Sequence, residues 1–381
     1  MNIVITDAQT ITNGDLDLSV FEKYGNVTIY PLTSYEETKE RIADADAVLL
    51  NKTLMDKETL SLATHLKYIG IFATGFNMID LDYCRAHGIT VSNAGSYSTD
   101  AVAQTVFAFL LHHYSRVADY DAFVREGGWK NSASFSPFVF PTFELAGKTI
   151  GIFGYGAIGR KVAASAKALG MEILGYDPYY TAGGEGISVY TDLTEMLPLC
   201  DYVTIHVPAM DSTKGMFNKD LFACMKDHTV LLNFSRDKLV NDVDLLVALE
   251  TGKLGCYVTD FPNDNLVGRE NVVLLPHLGA STAEAEDNCA SMAVEQIMDY
   301  FENGNVRNSV NFPAVNLGPR KGDNRICIMT KGEPSPVKLA AAMFANINIK
   351  AIALIATDDF ITSVPAVEGV TKVRVIQPDE M

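Results

Sequence analysis

The sequence predicts an α/β protein built from two doubly wound parallel-sheet units, followed by a small α+β module. Two separate runs of strand–helix alternation predict the two units, since that alternation buries helices on both faces of a parallel sheet. The second run opens on a glycine-rich turn. A polar, Pro/Gly-containing stretch, "AVNLGPRKGDN", then separates these runs from a short strand–helix–strand pattern with one closing strand.

In the first run, "NIVITD", "NVTIYPL", "DAVLLN", "LKYIGIF" and "ITVSN" read as strands. They are short apolar runs rich in β-branched residues. "SYEETKERIAD" and "DKETLSLATH" read as the helices between them. Ser98 and Thr99 are candidate caps for a long helix, "STDAVAQTVFAFLLHHYSRVADYDAFVREG". His112 and His113 lie within it and are read as structural. The second run begins at "LAGKTIGIFGYGAIGRKVAASAKALGMEILGYDPYY". Its later strands are "YVTIHVP", "TVLLNFS", "CYVTDF" and "VVLLPH", with "VDLLVALETGK" helical. A further amphipathic helix, "EAEDNCASMAVEQIMDYFENG", leads to "NSVNFP". After the linker come "RICIMT", a helix over 337–345, "IKAIALIA" and "TKVRVI".

Composition narrows the function. The 381 residues carry a net charge of -17 and a pI near 4.8, a field that opposes nucleic-acid phosphates. No apolar run reaches the ~20 residues of a membrane span. The N-terminus reads as a first strand and not as a signal peptide. Six scattered cysteines without CxxC spacing point to a reducing compartment, the cytoplasm, and away from a zinc site. No metal is expected.

Gly154, Gly156 and Gly159 form G-x-G-x-x-G between an apolar strand and a helix. One glycine permits the tight turn, one lets backbone amides approach a pyrophosphate, and one allows close helix–strand packing. Asp177 ends the next strand, 23 residues after Gly154, where a carboxylate holds ribose hydroxyls and repels a 2′-phosphate. The bland reading, a glycine turn without ligand, does not explain the strand, helix and acid in register. NAD is therefore the expected cofactor.

Three polar features follow later strands: Arg236 in "LLNFSRD", Asp260 and Asp264 in "CYVTDFPND", and His277 in "LLPHLGAST". Alone, each has an ordinary structural reading: a surface ion pair, turn residues, a core histidine. Together, on a chain that binds NAD, they suit reduction of a 2-keto acid. A guanidinium fork clamps carboxylate and carbonyl, an imidazolium delivers the proton, and a carboxylate supports the imidazole. His206 ends a strand and is read as a wall of the site.

The chain also resembles a known family, the NAD-dependent D-2-hydroxyacid dehydrogenases, over about residues 1–313. The resemblance rests on "ATGFNMIDL", "GITVSNAGSYSTDAVAQ", "ELAGKTIGIFGYGAIGR", "HVPAMDSTKGM", "LLNFSRDKLVND" and "PHLGAST", in order. It implies two Rossmann-like domains: a substrate-binding domain at 1–98 and 287–313, and an NAD-binding domain at 99–286. A linker at 314–324 and an ACT-like module at 325–381 complete the expected layout. The resemblance makes Arg236 and His277 the catalytic pair. Aligned on Phe261 and Pro262, Asp264 takes the place of the family's glutamate behind the histidine, and Asp260 falls near the nicotinamide amide. Cofactor contacts are implied at Ala157, Ile158, His206, Pro208, Thr213, Asn233, Phe234, Ser235, Gly279 and Ala280. Substrate contacts are implied at Asn51, Lys52, Ala73, Thr74 and Gly75.

Within the family, "FSRDKLVND", "YVTDFPND" and the C-terminal module resemble phosphoglycerate dehydrogenases of serine synthesis. "LLNKTLMD", "AGSYSTDAVAQ" and "GGWKNSASF" are closer to glycerate dehydrogenases, or hydroxypyruvate reductases. The expected substrate is a small anionic 2-hydroxy or 2-keto acid, 3-phosphoglycerate before glycerate. The alternative from another class is a non-catalytic NAD-sensing regulator. The module is short, since 358–369 leaves only 12 residues before its last strand. Relatives pair through the long helix and the loop carrying Trp129, which implies a homodimer or higher homo-oligomer.

Overall fold

The computed structural model describes residues 1–12, 14, 16–178, 187–321, 324–330, 354–357 and 370–376. The chain divides into two units, Met1–Tyr97 with Glu286–Met381, and Ser98–Ala285.

The first unit begins with β1 (Asn2–Ile5) and β2 (Asn26–Ile29), then α1 (Tyr35–Arg41), β3 (Ala47–Leu50), α2 (Lys57–Leu60), β4 (Tyr68–Ile71), α3 (Leu81–Ala86) and β5 (Thr90–Asn93). Each helix starts where a short polar side chain satisfies a first-turn amide: Ser34 with Glu37 in a reciprocal capping box, Asp56, and Asp80. The five strands are parallel in the order β2-β1-β3-β4-β5, so the winding reverses between β1 and β3. One sheet face packs Ile42, Leu60 and Cys84 from the helical layer. The other packs Phe21, Ile297 and Tyr300.

The second unit contains α4 (Thr99–Ser115), α5 (Val117–Arg125), β6 (Thr149–Phe153), α6 (Ala157–Ala168), β7 (Glu172–Tyr176), β8 (Ser188–Tyr190), α7 (Leu193–Met196), β9 (Tyr202–Ile205), α8 (Lys219–Cys224), β10 (Thr229–Asn233), α9 (Asp242–Glu250), β11 (Leu254–Thr259) and β12 (Val272–Leu274). The seven strands are parallel in the order β12-β11-β10-β9-β6-β7-β8, reversing between β6 and β9. The expected single long helix is interrupted. Arg116 adopts a left-handed conformation (φ 53), donating its N–H to His112 and ending α4 before α5 begins. Strand β8 is a three-residue edge strand with no buried residue, too weak a pattern to read in advance.

The last long helix, α10 (Ala283–Met298), passes into a π-helical turn at Asp299–Asn303. In the first unit, Tyr300 of that turn packs on Tyr68 at 4.9 Å between ring centroids. The "NSVNFP" segment returns to the edge of β5, where Val310 donates its N–H to Val91 at 2.9 Å and Asn311 bonds the backbone of Val91 and Ile89.

Three further strands, β13 (Asn324–Thr330), β14 (Leu354–Thr357) and β15 (Val370–Ile376), form an antiparallel sheet with β13 in the centre. The helix expected over 337–345 and the short stretch 358–369 lie outside the described residues. The 314–321 segment, expected as linker, is tied down. Leu317 and Arg320 donate backbone N–H groups to the side chains of Asn305 and Asn303. Arg325, 3% exposed, donates from its guanidinium to the carbonyls of Asn303 (2.9 Å), Gly318 (2.6 Å) and Pro319 (3.0 Å).

Candidate active site

In the second unit, β6 ends in the glycine turn. Gly154 has φ +98, and a Cβ there would stand 2.5 Å from the carbonyl oxygen of His206. A Cβ on Gly159 would stand 2.1 Å from the Gly154 carbonyl oxygen, so α6 reaches the sheet only because this position is bare. Gly156 differs: it is exposed, and nothing lies within 4 Å of the Cβ it lacks. Helix α6 begins at Ala157, with Ile158 next, and no side chain caps it. Its first-turn amides are thus positioned for an anion. At the end of β7, the Asp177 carboxylate accepts the Tyr155 N–H at 3.0 Å.

Past β9, the His206 ring lies 2.9 Å from Thr204 Oγ1, and burial pushes its pKa down to about 3. That ring is neutral at physiological pH and suits a wall. Thr213 spends its hydroxyl on the turn after Pro208, donating to the Pro208 carbonyl and accepting from Met210 N–H.

Strand β10 delivers the arginine. Asn233, fully buried, donates from Nδ2 to the Arg236 carbonyl and accepts the Ser235 N–H, shaping a turn around Phe234 and Ser235. Ser235 Oγ donates to the Ile205 carbonyl, and Phe234 packs on Phe109. Arg236 is half-buried, and the one hydrogen bond its guanidinium makes among the described residues runs from Nη1 to the Ser235 carbonyl. No carboxylate among the described residues pairs with it. The guanidinium fork is left for an anionic ligand.

Strand β11 delivers an acid, though not the expected pairing. Asp260, 3% exposed, accepts the Gly279 N–H through Oδ2 at 3.1 Å, and the same oxygen lies 3.4 Å from His277 Nδ1. Asp264, expected behind the histidine, is exposed and makes no such contact. The physical reason lies in its neighbours. Leu266 is buried in the core beneath α9, and Asn263 and Asn265 donate to the Asp242 carboxylate at the start of α9. Asp264 is carried away with that loop. His277 follows β12 with φ 55, its side chain 54% exposed and its ring 4.5 Å from that of Phe261. Gly279 must be bare, since a Cβ would meet Asp260 Oδ2 at 2.8 Å. Ala280 packs against the apolar layer beneath α4. Asp260 Oδ1 is buried and has no hydrogen-bond partner among the described residues.

In the first unit, the β3 loop carries Asn51 and Lys52. A residue missed by local reading organises it. The buried Asp7 carboxylate accepts backbone N–H groups from Asn51 (2.9 Å), Lys52 (2.5 Å) and Thr53 (2.8 Å). Asn51 Nδ2 also donates to the Thr10 carbonyl. This cluster stands where the winding reverses, the usual ligand edge of such sheets. After β4, Ala73 accepts the Ala94 N–H, and Thr74 accepts from Asn93 Nδ2. The N–H groups of Thr74 and Gly75 make no hydrogen bond among the described residues.

The family model described as "D-isomer specific 2-hydroxyacid dehydrogenase, NAD binding domain" matches residues 107–279. Over 322 residues the chain is 34% identical to a hydroxypyruvate reductase of Blautia hydrogenotrophica, covering 82% of this chain and 100% of that relative. The chain belongs to the D-isomer specific 2-hydroxyacid dehydrogenases.

This dehydrogenase is also 34% identical over 344 residues to the D-3-phosphoglycerate dehydrogenase of Haemophilus influenzae, covering 86% of this chain and 82% of that one. It is similar to the solved structure of NAD+-bound 3-phosphoglycerate dehydrogenase from Entamoeba histolytica, with 25% identity, a TM-score of 0.68, and 82% and 99% of the two chains covered. The dehydrogenase is an NAD-dependent oxidoreductase of 2-hydroxy acids. Its residues fit the cofactor: open space at Gly156, uncapped amides at α6, a carboxylate ending β7, and the unmatched oxygen of Asp260. No helix among the described residues is long and apolar enough to cross a membrane.

Proposed function

We propose that the dehydrogenase interconverts 3-phosphoglycerate and 3-phosphohydroxypyruvate, with His277 as proton donor and acceptor and Arg236 as the carboxylate and carbonyl ligand. The observation that carries the chemistry is His277 against Asp260 on the same sheet edge as an Arg236 without an ion-pair partner among the described residues. NADH, when bound, supplies the hydride. Asp260 faces Nδ1, leaving Nε2 of His277 to give its proton to the substrate oxygen on reduction and to take it back on oxidation. Arg236 neutralises the substrate carboxylate and polarises the carbonyl through its fork of donors. The glycine turn and the first turn of α6 (Ala157, Ile158) would hold the pyrophosphate, and Asp177 the ribose. His206, Pro208, Thr213, Phe234 and Ala280 would line the cofactor's path.

Lys52 at the β3 loop would meet the phosphate, and Thr74 and Gly75 N–H groups the carboxylate. The antiparallel C-terminal strands support the phosphorylated substrate, because the resemblance to phosphoglycerate dehydrogenases extends to the module they form. We read them as a reduced ACT-like module, suited to effector control or to an interaction surface. Glycerate and hydroxypyruvate form the second reading. Asp7 occupies the three amides of residues 51–53, which removes them as phosphate donors.

Exposed Phe135, Phe138 and Phe143 beyond α5 support pairing of two copies through this surface. The free cysteines suit the cytoplasm.

The deciding experiment compares kcat/KM for hydroxypyruvate and 3-phosphohydroxypyruvate by loss of NADH absorbance. A preference for the phosphorylated acid supports the first reading, and the opposite preference the second. Unchanged turnover in both His277→Ala and Arg236→Ala would remove the mechanism.

A further inference from the structure

The family resemblance distributes two tasks over two acidic positions, one supporting the histidine and one meeting the nicotinamide amide. In this chain the second acid, Asp264, is exposed on a loop drawn toward α9. The remaining carboxylate is bifunctional in its geometry. Oδ2 of Asp260 faces Gly279 N–H and His277 Nδ1, while Oδ1 is buried and unmatched. A buried carboxylate oxygen without a donor is a rare arrangement, and one that a ligand donor resolves.

Strand order places that donor. Asp177 ends β7 and the glycine turn follows β6, so the adenosine and pyrophosphate positions lie over those two strands. The other end of a dinucleotide then extends across β9 and β10 toward β11, the strand that Asp260 directly follows. The carboxamide of nicotinamide carries two N–H donors.

We propose that Asp260 alone performs both tasks, holding the proton on Nδ1 of His277 through Oδ2 and accepting the nicotinamide carboxamide through Oδ1. This rests on His277 being the proton donor, as argued above. It makes Asp260 a cofactor ligand and a positioning residue at once, and leaves Asp264 outside the site.

Two substitutions separate the tasks. In Asp260→Asn, the amide oxygen retains the Gly279 hydrogen bond and the contact with His277, while the amide NH2 replaces Oδ1 and presents donors to donors. In Asp260→Ala both are lost. The readouts need no substrate: NADH binding by fluorescence titration, and the His277 tautomer by imidazole 15N chemical shifts, assigned with His277→Ala. The expected result is NADH affinity weakened about tenfold in both variants, the scale of a hydrogen bond to a charged group. The Nδ1–H tautomer should persist in Asp260→Asn and give way to a mixture in Asp260→Ala. Unchanged NADH affinity in Asp260→Asn overturns the cofactor half. A tautomer that follows Asp264→Ala and ignores Asp260→Ala overturns the other. Because neither readout requires turnover, an enzyme inactive on every acid tried would refute the substrate assignment and leave this test standing.

Discussion

The carboxylate of Asp177 accepts the backbone N–H of Tyr155 at 3.0 Å, tying the acid that ends β7 to the glycine turn that ends β6. The acid is therefore held in place before any cofactor arrives. Replacing it by alanine releases the turn and removes the negative charge proposed to hold the ribose. Asp177→Ala should lower kcat/KM for NADH by roughly ten- to hundredfold, the scale of hydrogen bonds to a charged group. Preference for NADH over NADPH should shrink, as parallel assays with the two cofactors would show.

Two glycines of one motif should answer differently to alanine. Gly159→Ala drives a Cβ into the Gly154 carbonyl, a backbone atom that cannot step aside, and should cost about 1–3 kcal/mol of stability. Gly156→Ala meets open space and should leave the urea midpoint near that of the native protein. Its NADH affinity should nonetheless fall if the pyrophosphate binds as proposed, since the methyl group would fill the open space at that turn. Urea denaturation and fluorescence titration on both variants would separate fold from ligand.

Asp7 makes no contact with substrate in this reading, yet it sets the loop that carries Lys52. Removing its carboxylate frees three backbone donors in a largely buried place. Asp7→Ala should destabilise the protein by roughly 3 kcal/mol. Asp7→Asn should fold and raise KM for the keto acid more than it lowers kcat. Thermal melts and steady-state kinetics would check both.

Burial holds the pKa of His206 near 3, below its ordinary value of about 6.5. Between those values the unfolded chain binds a proton that the folded one does not, so stability is present above pH 6.5 and declines as pH falls toward 3. The slope should approach ~1.4 kcal/mol per pH unit in that window. His206→Asn should flatten it, as urea midpoints measured across the acid range would reveal.

Much of this was legible because it is local. A strand, a glycine turn, a helix and an acid one strand later are fixed by chain neighbours, and Gly154, Gly159 and Asp177 stand where spacing placed them. Asp260 and Asp264 were harder. They stand four positions apart, and the choice between them depends on the burial of Leu266 and on Asp242 of α9, neither visible in the motif. Asp7 was illegible for a related reason. Its partners lie 44 to 46 positions away and meet it only because β1 and β3 pair in parallel. The break at Arg116 likewise follows from one left-handed residue within a sequence whose periodicity continues.

Arg325 gives the C-terminal sheet a structural duty toward the rest of its unit. One guanidinium gathers three carbonyls, one from the turn that closes the last long helix and two from the segment leading to β13. The sheet thus acts as a splint as well as an appendage. A chain trimmed ahead of residue 324 would lose its final strands and, with them, the cation that seals the end of that helix. Shortened forms would therefore fray from a point well upstream of the cut.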